Sequence, residues 1–126
     1  MRHLSRALLV ALALALAPAT AQVVVKKGAV ILHGSAANTS APATVEMQKV
    51  KEATPEWKKI QSEGIDTTSA HGKQLLAEMH NRIREAVKAV AEAESRDMVA
   101  RKDDITDNKG RDVVDLTAKV VTKLGG

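Results

Sequence analysis

The chain has 126 residues, with 19 Lys and Arg against 15 Asp and Glu and a net charge of +4, which suits one small domain. So mild a basic excess lacks the dense positive patch of a nucleic-acid binder, and we expect no nucleic-acid partner. The absence of Cys excludes a disulfide framework and a lipid-anchored N-terminal Cys.

The first 21 residues have the pattern of a cleavable signal peptide. Arg2 and Arg6 form a positively charged start, and residues 7–17 are an unbroken apolar run. Residues 19–21 (Ala-Thr-Ala) give the small-x-small pattern that signal peptidase cuts after. The apolar run is shorter than the roughly 20 residues that span a bilayer, so we expect a released, exported protein.

The exported part is poor in large side chains. Cleavage leaves 105 residues with 17 basic and 15 acidic side chains, no Phe, no Tyr and a single aromatic residue, Trp57. Aromatic side chains normally bury ~150–250 Å² each, and that contribution is nearly absent here. Against a backbone ordering cost of ~1–2 kcal/mol per residue, an isolated domain of this composition is marginal, which predicts an oligomer.

The N-terminal region, residues 22–40, reads as strand and linker. The apolar bursts at residues 23–25 and 29–32 are β-branched and predict one or two short strands. The small and polar residues 34–43 are typical of a flexible linker.

Helical signals begin near residue 45. After a weakly periodic stretch at residues 45–52, Thr54 is placed to cap a helix over Pro55–Glu63 that ends at Gly64. A longer helix over residues 70–94 carries an apolar stripe. That stripe predicts either packing on the chain's own domain, or a seam or client-binding face, and consists of Leu76, Met79, Ile83, Val87 and Val90.

The remaining elements are short. Residues 97–100 predict a strand, residues 108–110 a turn and residues 113–114 a second strand. Residues 115–117 open a last helix, for which we predict Thr117 as the cap.

No catalytic or metal-binding pattern is present. His33, His71 and His80 lack the spacing that would place two ligands on one helix face, and no nucleophile elbow or Gly-rich phosphate loop occurs. The acidic residues at 103, 104 and 107 lack the later Gly and Glu of a calcium loop and read as a solvated turn. We therefore predict a protein that is not an enzyme and needs no cofactor or metal.

Four pieces of the chain follow one another in a characteristic order: residues 47–59 (with MQKV and TPEWKK), 82–92 (RIREAVKAVAE), 97–99 (DMV) and 112–121 (DVVDLTAKVV). With a returning helix, a D-h-V strand, a hairpin and a D-h-T start to the terminal helix, residues 41–126 resemble the OmpH/Skp family of periplasmic chaperones. The strand before the helices corresponds to residues 29–32 or to residues 43–47.

The resemblance implies an α+β fold in which a small β body forms between three subunits and antiparallel helical arms project from it. The arm would span residues 45–94, shorter than in the family, and the interface strand would contain Met98 and Val99. The implied function is an ATP-independent periplasmic holdase that binds unfolded outer-membrane proteins as a homotrimer.

Two other functions fit the sequence. One is a non-catalytic oligomeric scaffold of the cell envelope that holds no client. The other is peripheral contact with anionic lipid or lipopolysaccharide, which a solvated charged helix face explains equally well, through Lys49, Lys51, Lys58 and Lys59.

We predict cleavage between Ala21 and Gln22. Intact-mass measurement of the exported protein should give a chain that begins at Gln22, because the small residues at 19 and 21 fit the peptidase. An exported form whose mass still includes residues 7–17 would contradict the signal-peptide interpretation.

Overall fold

A computed structural model describes residues 22–125; the predicted signal peptide and Gly126 lie outside the described residues. Six strands occur in this range: β1 Val24–Val25, β2 Ile31–Gly34, β3 Pro42–Val45, β4 Met98–Arg101, β5 Ile105–Asp107 and β6 Val114–Asp115. The helices are α1 Met47–Glu52, α2 Pro55–Glu63, α3 Ala70–Ala93 and α4 Thr117–Lys123, with a 3₁₀ turn at Ala36–Asn38. The protein is thus a small α+β protein with mixed sheets.

The main sheet has four strands in the order β2-β4-β3-β6. β2 runs antiparallel to β4, whereas β3 is parallel to both β4 and β6. β1 and β5 form a separate antiparallel pair. Because parallel neighbours need a long crossover, helices α1, α2 and α3 lie in the chain between β3 and β4. Both segments considered as the first strand therefore enter one sheet, residues 29–32 largely through β2 and residues 43–47 largely through β3.

The core lies between this sheet and its helices. Ala43, Val45 and Val99 belong to one buried cluster with residues of α1, α3 and α4. The α3 members of that cluster are Met79, Ile83, Ala86, Val87, Val90 and Ala91. The apolar stripe of α3 thus packs within the chain's own domain.

Strand β4 is an interior strand. It pairs with β2 on one edge and with β3 on the other, and both Met98 and Val99 are fully buried within the single chain. Neither residue offers a free backbone edge to another subunit, so their expected place in a subunit interface needs correction. The outer edges of the main sheet belong to β2 and β6.

The segment predicted as a flexible linker is instead held by hydrogen bonds to Asp97. Its carboxylate accepts the N–H groups of Ser40 and Ala41, at 2.8 and 3.0 Å, and the hydroxyls of Thr39 and Ser40. Gly34 also packs closely here, because a Cβ at that position would lie 1.9 Å from the Asp97 carbonyl oxygen. Local composition could not reveal a partner more than 50 residues away.

The start of α4 also differs from expectation. Leu116 occupies the N-cap position, and the Asp115 carboxylate accepts the Thr117 N–H at 2.8 Å. The Thr117 hydroxyl donates to Asp115 at 2.5 Å and accepts the Glu46 N–H at 2.8 Å. Thr117 is therefore the first helical residue, and its side chain joins α4 to the start of α1.

Replacing Asp97 by Asn should destabilise the fold by about 1–2 kcal/mol, because the amide cannot accept all of these bonds. Burial raises the pKa of Asp97, but the Ser40 N–H, the Thr39 hydroxyl, the Ala41 N–H and the Ser40 hydroxyl together lower it to about 2. The carboxylate's contribution is therefore complete above pH 3.8 and is lost as the pH falls through about 2.

Urea unfolding at neutral and acid pH measures this effect. The matched control is Asp112→Asn, at an exposed carboxylate that accepts no hydrogen bond from residues 22–125. Equal unfolding midpoints for the two variants at pH 7 would contradict the anchoring role of Asp97.

Candidate functional site

The α2–α3 hairpin is built by local signals at both of its turns. The Thr54 hydroxyl accepts the Trp57 N–H at 3.2 Å, which caps α2 as predicted. Gly64 ends α2 with φ of 60°, and the Ser69 hydroxyl accepts the Gly72 N–H to start α3. These signals fix the boundaries of the hairpin from the sequence.

A buried ion pair joins the two helices of the hairpin. Arg82 on α3 binds the carboxylate of Glu56 on α2 with Nε at 2.9 and 3.0 Å and Nη2 at 2.8 Å. Glu56 is only 7% exposed. The side-chain hydrogen bond from Arg82 lowers the pKa of Glu56, although burial opposes that shift.

The four lysines considered for lipid binding differ in their surroundings. Lys51 lies with its Nζ 4.5 Å from the centroid of the half-buried Trp57 ring, and Lys49 pairs with Glu46 at 3.4 Å. Lys58 and Lys59 are exposed on α2 and form no salt bridge within residues 22–125. The structure therefore does not bring all four lysines together as one free basic patch.

A pocket of about 290 Å³ lies between β2, α1, α3 and β4. We call it the β2–α3 pocket. Its apolar wall is formed by Val30, Leu32, Met47 and Ile83, and its polar rim by Lys51, His80, Arg84 and Arg101. None of these lining residues carries a carboxylate.

Asp104 holds one side of the rim in place. This residue is 2% exposed, accepts the Val30 N–H at 2.9 Å and pairs with Arg101 at 2.9 Å and Lys26 at 3.1 Å. Burial raises the pKa of Asp104, but these hydrogen bonds outweigh burial and lower it. The solvated turn expected here is thus wrong for Asp104, since its partners lie far away in the chain.

The predicted helix residues and the β2–α3 pocket meet on α3. Met79, Ile83 and Val87 are completely buried, Val90 is 8% exposed, and Leu76 is half-buried. Only Ile83 among the predicted site residues lines the pocket. The four-residue step from His80 to Arg84 marks that side of α3, but nothing local reveals that β2 faces it.

Across the described residues, no three His, Asp or Glu side chains come together in a way that could hold a metal ion. None of the helices between residues 22 and 125 is both long and apolar enough to cross a membrane. Comparison with known proteins gave no matching family model, no matching curated protein and no matching solved structure.

Arg82→Gln should loosen the hairpin, because it leaves the buried Glu56 carboxylate without its cation. We expect amide exchange in α2 to quicken about fivefold, from the loss of about 1 kcal/mol by a half-exposed ion pair. The ion pair's contribution is present above pH 4.5 and is lost as the pH falls through the lowered pKa of Glu56.

Hydrogen exchange read by mass spectrometry gives the local rate. Lys88→Gln, at an exposed position of the same helix, is the control. Unchanged α2 exchange in Arg82→Gln at pH 7, or an equal change in Lys88→Gln, would contradict this role for the ion pair.

Proposed function

We propose that this protein is an ATP-independent periplasmic holdase that assembles as a homotrimer and binds unfolded outer-membrane proteins. The observation that supports this proposal is the order of elements: strand β3, the α2–α3 hairpin, strand β4, strand β6 and helix α4. It is the order that the resemblance to the OmpH/Skp family implies, with β3 lying beside both β4 and β6.

Assembly would use the edges of the main sheet. β2 has four residues and β6 two, and each pairs with a strand of the main sheet on one side only. An exposed strand edge presents unpaired backbone N–H and C=O groups that a strand of another chain can complete. We therefore assign subunit contact to β2 or β6 rather than to Met98 and Val99.

Client contact would be made by the outer side of the hairpin. A shallow groove along α1 and α2 combines the half-buried Trp57 ring with polar and charged groups, and its other lining residues are Gln48, Glu52, Lys58, Gln61 and Ser62. An aromatic ring beside cations suits weak contact with many extended segments, since the ring buries apolar area and the lysines attract acidic groups. No single residue dominates such contact.

The second candidate, an oligomeric scaffold without clients, is favoured by the burial of the α3 stripe. Met79, Ile83 and Val87 are used in the chain's own core, and Val24, 43% exposed, is the large apolar side chain that the described residues leave most open. A scaffold needs no apolar client surface, because it only has to assemble.

The holdase proposal predicts that the mature protein, residues 22–126, slows aggregation of an unfolded outer-membrane β-barrel protein diluted from urea, without nucleotide. Light scattering follows the aggregation, and sedimentation gives the mass of the chaperone preparation. Moderate salt should weaken the effect, because exposed charges are screened beyond ~8–10 Å. Lys58→Ala alone should change little.

A matched pair of charge reversals locates the contact. Lys58→Glu with Lys59→Glu should weaken suppression several-fold, whereas Lys88→Glu with Lys123→Glu, an equal charge change at exposed positions off the hairpin groove, should not. Assembled protein that leaves aggregation unchanged at several-fold molar excess would reject the holdase and favour the scaffold. A stable folded monomer would reject both.

A further inference from the structure

The β2–α3 pocket joins an apolar wall to a cationic rim within one chain. Val30, Leu32 and Met47 are half-buried, and Ile83 closes the interior side with no exposed surface. Concave, largely apolar sites with a few convergent polar groups are the usual form of small-ligand sites. The wall therefore suits an aliphatic group.

The rim carries an excess of positive charge. Lys51, Arg84 and Arg101 line it with His80, and no carboxylate belongs to the lining. Arg101 is oriented by Asp104, and Lys51 lies over Trp57. Both cations are thus positioned by a neighbour before any ligand enters.

Arg84 is the rim cation without a protein partner. Its side chain is exposed and makes no salt bridge or side-chain hydrogen bond within residues 22–125. A guanidinium presents paired N–H donors that match the two oxygens of a carboxylate. An anion at the mouth of the pocket would meet Arg84 while its chain lies on Leu32.

The size of the pocket limits the ligand. A volume of about 290 Å³ equals the space of about ten water molecules at ~30 Å³ each, near the lower end for small-molecule sites. We propose that the β2–α3 pocket binds a small aliphatic monocarboxylate of about four to eight carbon atoms, with the chain on the apolar wall and the carboxylate on Arg84.

Titration with hexanoate tests the proposal in the mature protein. Amide shifts in ¹⁵N-labelled protein should saturate at Leu32, Met47 and Arg84, and the emission of the single Trp57 should change, because a bound anion attracts Lys51. Hexylamine and hexanol, of matched chain length, should bind at least about tenfold more weakly, since they lack the negative charge.

Arg84→Gln should weaken hexanoate binding about tenfold, as expected for the loss of one charge-assisted contact, whereas Lys88→Gln one turn away should leave it unchanged. Both positions are exposed, so both variants should keep the fold. Equal affinity for hexanoate and hexylamine, no saturable shift at the pocket, or equal loss in the two variants would overturn the proposal. The test involves no client protein, so its result is independent of the holdase assay.

Discussion

The parallel pairing of β3 with β4, closed on one face by α3, is the constraint on which the rest of the structure depends. Parallel neighbours need a crossover, and here the crossover is the whole helical segment from α1 to α3. The chain lacks Phe and Tyr, so the core is made largely of Ala, Val, Ile and Met side chains. A 24-residue helix supplies half of the members of that cluster, which is why its apolar stripe is turned inward.

Everything that could act on a ligand or a partner is placed by α3. On one side, Arg82 holds α2 through Glu56 and so presents the lysines of the hairpin. On the other side, Ile83 and Arg84 face β2 and form the β2–α3 pocket. Lys51 connects the two regions, because it lines the pocket and lies over Trp57 of the hairpin. A ligand that moved Lys51 would therefore alter the surface proposed for clients.

The helices could be predicted from the sequence because their signals are local. Thr54, Pro55 and Gly64 lie within one short segment, and the predicted helix over residues 70–94 agrees with Ala70–Ala93 to one residue. The sheet could not be predicted in the same way. The order of residues 39–41 depends on Asp97, and the interior position of β4 depends on β2, which lies more than 60 residues earlier. The β2–α3 pocket was missed for the same reason, since Leu32 and Arg84 meet only in the folded chain.

The most direct test of this account is whether α3 closes the core of its own chain. Methyl NOEs among Ile83, Val87, Val45 and Val99, which share one buried cluster, can be measured in labelled protein alone and after mixing with excess unlabelled protein under conditions that allow subunits to exchange. The account predicts NOE intensities per labelled chain that do not change on mixing, because the contacts lie within one chain. Intensities that fall in proportion to the dilution of label would show that α3 packs on another subunit, and would contradict it.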